Sequence, residues 1–305
     1  MAGGADLPLL TPFFWFDPPW YRVPVSRCDM VARGVESAGV VVNALLRDLA
    51  QSDEGEAVVK SRRMVPHRSD RAGLIYRDFE SATIIDLRMW VGRDPHGRFA
   101  YPINQLRRWS NQDDTPADIS IDAMSFPPDW ETLDDMKHKV GQLRRLSSAA
   151  VMLSFDETQL DAILPAAMIA EVDGIILRVE GDPCERIIEA RSRLDQAKGR
   201  AIRLWIATNA ELSPKDCVVC FSLGADGLSL DALCNDLLYS DEQVQLTTAE
   251  RAAISFGMQS TGDAVDRFQE KLKARVERFV IDVCGHAHSC GVERLSDLKV
   301  EHLRR

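Results

Sequence analysis

The sequence predicts an α/β fold, a (β/α)8 TIM-type barrel with a C-terminal packing helix, and three observations predict it. Between Ile119 and Leu238, short β-branched runs alternate with amphipathic helical stretches at a repeat of roughly 25 to 30 residues, the rhythm of successive strand-helix units. The boundaries of those stretches carry helix start and stop signals. The chain has 305 residues, 45% of them hydrophobic, enough to bury the core of one large barrel without disulfide or metal staples.

The elements follow in chain order. Residues 1–25 are expected to form an N-terminal arm packed on the domain. The stretch from Leu7 to Tyr21 is apolar and aromatic, but four prolines break it, Asp17 interrupts it and no basic leader precedes it, so an arm is expected there rather than a membrane span or signal peptide. The barrel is expected over 26–255. Gly39 to Asn43, Leu74 to Arg77, Thr83 to Arg88, Ile119 to Ala123, Ala149 to Ser154, Gly174 to Arg178, Ala201 to Thr208 and Gly227 to Leu230 supply the strands, and eight strands close a barrel. By composition Gln51 to Asp70, Gly92 to Gly97 and Ser110 to Asp118 are loops.

Between the later strands, the helix from Glu131 sets Leu133, Met136, Val140, Leu143 and Leu146 on one stripe, and the next does so with Leu160, Ile163, Leu164, Ala167 and Met168. Asp182 and Pro183 open a third helix, which Gly199 closes; Ser213-Pro214-Lys215-Asp216 opens a fourth, which Gly224 closes. Asp173-Gly174 and Asp226-Gly227 lie at strand starts, where they read as helix-to-strand turns rather than catalytic acids. Over 256–305, Asp263 to Val283 forms a long helix with Val265, Phe268, Leu272, Val276, Phe279 and Val280 on one side, packed across the barrel wall, and a short tail.

Composition bounds the partners. A formal net charge of −10, with acids interleaved wherever Lys and Arg cluster, as in Glu270 to Arg278, argues against nucleic-acid or anionic-membrane binding. Seven widely spaced cysteines, an odd number, form no disulfide framework, and a cytoplasmic, reducing compartment is expected.

The C-terminal ends of barrel strands line the mouth at which such folds bind ligands, which makes Arg88, Asp122, Ser154, Arg178, Thr208 and Asp231 the mouth candidates. Arg88 and Arg178 are suited to hold a carboxylate or phosphate through two parallel hydrogen bonds. The favoured alternative is that they pair with Asp122, Glu180 and Asp231, because charges confined in a barrel mouth need partners. Cys217 and Cys220, one helical turn apart, are either a redox pair or, as favoured, buried small hydrophobes. Cys284, His286, His288 and Cys290 carry zinc-ligand chemistry at a spacing of no familiar zinc module, and the favoured reading is surface histidines with half-buried cysteines. No Walker loop, Gly-x-Ser-x-Gly elbow or dinucleotide Gly-x-Gly-x-x-Gly is present.

An ordered set of segments resembles the FMN-binding synthase domain of the glutamate synthase family, itself a (β/α)8 barrel. Ala32-Arg33-Gly34 through Ala38-Gly39 to Asn43 is similar to a family stretch that continues into a glycine-rich loop near the flavin; here Ala44-Leu45-Leu46-Arg47 follows. Ile85-Asp86-Leu87-Arg88, then Gly92-Arg93-Asp94-Pro95 and Tyr101-Pro102, resembles Ile-Glu-Ile-Lys, Gly-Ala-Lys-Pro-Gly and Leu-Pro, with Asp94 where the family has lysine. Val151-Met152-Leu153-Ser154 resembles Val-Lys-Leu-Val, with Met152 in place of the lysine that serves flavin and substrate. Asp173 to Arg178 resembles the strand before a Gly-Gly-Thr-Gly loop, yet Val179-Glu180-Gly181-Asp182 follows. Ile206-Ala207 through Leu223-Gly224-Ala225-Asp226 resembles the last two strand-helix units, with Thr208-Asn209-Ala210 and Asp231 at the family's phosphate-cradling loops.

The resemblance implies Gly92, Asp94, Met152, Asn209 and Asp231 as the altered FMN positions. It implies no iron-sulfur cluster, since Cys234 stands alone where the family clusters cysteines, and it matches the closing helix and tail from Val265 onward. The expectation is a degenerate barrel without a cofactor, non-catalytic, acting as a binding, scaffolding or regulatory partner to a protein or to its own copy. The alternative is an FMN-dependent oxidoreductase of glutamate synthase type, converting 2-oxoglutarate and glutamine to glutamate, with a modified flavin site.

Overall fold

The computed structural model describes residues 9, 11–20, 25–45, 63–67, 74–89, 100–101, 121–122, 132–196, 202–240 and 262–304. The strands are β1 (Phe13–Trp15), β2 (Val41–Asn43), β3 (Arg63–His67), β4 (Ile84–Arg88), β5 (Ala100–Tyr101), β6 (Ile121–Asp122), β7 (Ala150–Asp156), β8 (Gly174–Val179), β9 (Arg203–Thr208) and β10 (Gly227–Ser229). Eight of them close a barrel in the order β1-β10-β9-β8-β7-β4-β3-β2, every neighbour parallel. The helices are α1 (Val25–Ser37), α2 (Tyr76–Ser81), α3 (Met136–Leu146), α4 (Leu160–Ala170), α5 (Cys184–Gln196), α6 (Pro214–Ser222), α7 (Asp231–Ser240) and α8 (Gly262–Ser289).

The barrel class holds, and two of its strands, the first and the third, lie where none was expected. The first lies in the expected arm: Phe13–Trp15 pairs with β10 on one side and β2 on the other. The third lies in the expected charged loop, at Arg63–His67, a strand that includes Pro66. Leu74 to Arg77 instead leads into α2, and Ile121–Asp122 leaves the barrel to form a two-stranded antiparallel ribbon with Ala100–Tyr101. The expected loops at 92–97 and 110–118 fall outside the described residues.

Two cores result from the alternation of strand side chains. The outward residues, among them Ile85, Leu87, Val151, Leu153, Ile175, Leu177, Leu204 and Ile206, join the helix stripes of α3 to α6 in one large core. The inward residues Phe14, Val41, Met64, Ile84, Met152, Ile176 and Trp205 fill the barrel itself. Glycines make room for the largest of these. A Cβ on Gly227 would lie 2.8 Å from the Trp205 ring, and one on Gly174 would lie 2.6 Å from Met152 Cε. Large and small residues thus complement one another across the interior.

Helix ends follow local chemistry. Ser213 and Asp216 form a reciprocal capping box with Pro214 in the first turn, and Gly224 after α6 takes the left-handed φ of +108°. Asp173 and Asp226 act as turns: each carboxylate accepts the amide of the second residue of the preceding strand, Val151 N at 2.9 Å and Leu204 N at 2.7 Å. Helix α8 packs on α1 and α6 and sets Phe279 edge-on to Phe13, so the closing helix covers β1 from outside. Under α2, Arg63 and Asp78 form a fully buried ion pair at 2.7 Å. The Arg63 guanidinium also donates to the Asp78 carbonyl and to the Ser81 hydroxyl.

Candidate functional site

Ascending the inner face of a strand by two residues carries it from apolar floor to polar mouth. Ile84 is followed by Asp86 and Arg88, Met152 by Ser154, Ile176 by Arg178, and Phe14 by Phe16, with Asp17 next at the rim. The mouth is therefore a charge cluster set on a hydrophobic plug.

Asp17 is its centre. One carboxylate oxygen accepts from Arg88 Nη1 at 2.7 Å and the other from Arg178 Nη1 at 2.9 Å. Arg88 also donates through Nε to Asp86 at 3.0 Å and through Nη2 to the Phe16 carbonyl at 3.3 Å, and its guanidinium carbon sits 4.1 Å above the Phe16 ring. On the far side, Asp231 accepts the backbone N–H of Asp17 at 2.6 Å and of Phe16 at 3.1 Å.

Three carboxylates and two guanidinium groups cannot all be charged and balanced. Burial, and then the Asp17 carboxylate beside it, push Asp231 up to about 7. Asp86 is raised as well, chiefly by burial, which Arg88 opposes. For Arg88 burial works against the charge, but Asp17 and Asp86 outweigh it and hold its pKa above the ordinary value.

The rim of β9 and β10 is locked internally. Thr208 donates its amide to Ser229 Oγ at 2.9 Å and its hydroxyl to the Gly181 carbonyl at 3.1 Å, and it accepts the Ala210 amide at 3.1 Å. A cavity of about 170 Å³ remains beside this rim, lined by Phe16, Asp17, Arg178, Thr208, Asp231 and Asn235 among others.

Of the sequence-derived candidates, the structure brings Arg88, Ser154, Arg178, Thr208 and Asp231 to the mouth. Asp122 does not end a barrel strand, because Ile121–Asp122 pairs with Ala100–Tyr101 in a separate two-stranded ribbon. Of the expected ion-pair partners, Glu180 and Asp231 are corrected, while the Asp122 side chain lies outside the described residues. Arg88 and Arg178 pair with Asp17, which had been read as an interruption in an arm; Asp231 takes amides, and Glu180 is exposed with its own amide on Glu157. Asp86 was also missed, although its position two residues before Arg88 places it on the same strand face.

Among the altered FMN positions, Met152 faces the barrel interior, fully buried one step below Ser154, while Asn209 is exposed at the rim. Gly92 and Asp94 lie outside the described residues. Cys217 and Cys220 are both buried; burial and then Asp216 push the Cys217 thiol up to about 12, which suits a packed side chain rather than a nucleophile. Cys284, His286 and His288 lie along α8 with Cys290 just past its end, at two-residue steps that alternate between opposite helix faces. No metal-binding group of three or more His, Cys, Asp or Glu forms among the described residues.

The fold and this site define a (β/α)8 barrel with a self-paired mouth. No protein-family model matches the sequence, and no curated protein does. Solved structures match the fold. A flavocytochrome b2 double mutant with pyruvate bound is similar at 13% identity and a TM-score of 0.56, over 96% of this chain and 69% of that one. A monotopic membrane protein, (S)-mandelate dehydrogenase, is similar at 15% identity and a TM-score of 0.50, over 96% and 81%. An oxidised active mutant of (S)-mandelate dehydrogenase is similar at 14% and 0.51, over 96% and 80%. At these identities the likeness is one of fold. Among the described residues, no helix is long and apolar enough to cross a membrane.

The described residues do not fit an FMN phosphate where the resemblance implies one. A phosphate cradle after the last two strands needs open backbone amides. Here the Thr208 and Ala210 amides have side-chain acceptors, and the Asp231 carboxylate stands at the opening of α7.

Proposed function

We propose that this chain is a barrel of the glutamate synthase type that no longer seats a flavin and works as a non-catalytic binding, scaffolding or regulatory partner. Its partner would be a cytoplasmic protein or a second copy of itself, not nucleic acid or membrane. One observation carries the reading: Asp17 neutralises both mouth arginines, Arg88 and Arg178, from within the chain. The engaged rim amides support it, and so does the cavity of about 170 Å³. Pockets for drug-sized ligands run to about 300 to 1,000 Å³.

The test is the absorbance of the purified protein followed by titration with FMN, read by flavin fluorescence. A colourless preparation with no saturable quenching up to millimolar FMN is the expected result, and a yellow preparation carrying stoichiometric FMN would overturn it.

A second reading is an FMN-dependent oxidoreductase of glutamate synthase type with a modified flavin site, acting on 2-oxoglutarate and glutamine. The fold likeness to flavocytochrome b2 favours it. The same titration separates the two, since this reading requires bound flavin.

A further inference from the structure

The barrel mouth already holds a carboxylate, and it is the chain's own. Asp17 presents one oxygen to each of two guanidinium groups, at 2.7 and 2.9 Å, a geometry in which arginines receive a carboxylate ligand. The two arginines stand on β4 and β8, whereas Asp17 follows β1, which two strands separate from each of them around the barrel. Their placement does not depend on Asp17 alone. Arg88 is also fixed by Asp86 and by the Phe16 carbonyl and ring.

The Asp17 backbone has a separate anchor, its amide on Asp231 at 2.6 Å. Its side chain is 40% exposed at the edge of the mouth cavity, against 9% for Arg88. Rotation about the side-chain bonds therefore releases the carboxylate while the backbone stays in place. Opposite Arg88 in register on β7, the buried Ser154 hydroxyl lies beside Asp86 and favours its charged form, which helps to hold Asp86 as the second anchor of Arg88.

We propose that Arg88 and Arg178 form a binding site for a small free carboxylate of the formate, acetate or oxalate kind, and that Asp17 is its resident internal competitor. The cavity has room for such an anion. The site stands whether or not the barrel binds flavin.

The test is thermal unfolding of Asp17→Ala in sodium formate, with equimolar sodium chloride as the ionic-strength control. Formate should raise the melting midpoint saturably by about 4 °C over chloride. Wild type should respond less, because Asp17 competes, and Asp17→Ala combined with Arg178→Gln should not respond. An equal effect of formate and chloride, or a formate effect that survives loss of Arg178, overturns the proposal. If Asp17→Ala does not fold alone, refolding it in formate against chloride gives the same reading. Recovery in formate only supports the site, and recovery in both or neither overturns it.

Discussion

Replacing Asp231 by Asn removes one titrating group from the mouth and leaves its size unchanged. In the folded protein burial and Asp17 push this carboxyl up to about 7, from an ordinary 3.8. Between those values the folded chain holds a proton that the unfolded chain does not. Stability from this group is therefore fully present below about pH 4, is lost as pH rises towards 7, and is flat above that. At about 1.4 kcal/mol per unit the whole span amounts to about 4 kcal/mol, of which the interval from pH 5 to pH 8 covers about 2.7 kcal/mol. The Asn variant keeps one of the two amide bonds and loses the other, a constant offset of about 1 kcal/mol that does not vary with pH. The assay is urea unfolding of both proteins at pH 5, 6, 7 and 8. The variant should gain on wild type across that range by about 2.7 kcal/mol, most of it below pH 7. Parallel profiles would refute the reasoning, because they would mean that Asp231 is ionised throughout.

Two further predictions concern the fold. Arg63→Met leaves Asp78 buried without its cation and should cost about 3 to 5 kcal/mol in chemical denaturation, while adding Asp78→Leu should recover most of it. Gly227→Ala places a methyl 2.8 Å from the Trp205 ring and should cost about 1 to 3 kcal/mol; Trp205→Leu in the same chain should relieve the clash, which a comparison of denaturation midpoints would detect.

The later half of the barrel was legible because local and tertiary preferences agree there. Helices α3 to α6 begin and end near their caps, and β7 to β9 fall on largely apolar runs. The early half was harder to read. Phe13–Trp15 is a short aromatic run among prolines, and only its pairing with β2 and β10, remote in sequence, makes it a strand. Arg63–His67 carries an arginine, a proline and a histidine, whose burial depends on partners such as Asp78 that the sequence does not link to them. The mouth was half legible for the same reason. Strand ends located Arg88, Ser154, Arg178, Thr208 and Asp231, but the residue that joins the two arginines lies in the segment taken for an arm.

The seam of the barrel joins Phe13 to Leu228, so the two ends of the sheet meet across almost its whole span of sequence. Bringing such distant segments together carries the largest loop-closure entropy of any strand pair here, and topologies rich in non-local pairing fold slowly. During synthesis the first strand can pair with β2, but its other edge must wait until the last strand has emerged. The step that shuts the cylinder is also the step that brings Asp17 over its two arginines, so maturation of the mouth and completion of folding are one event.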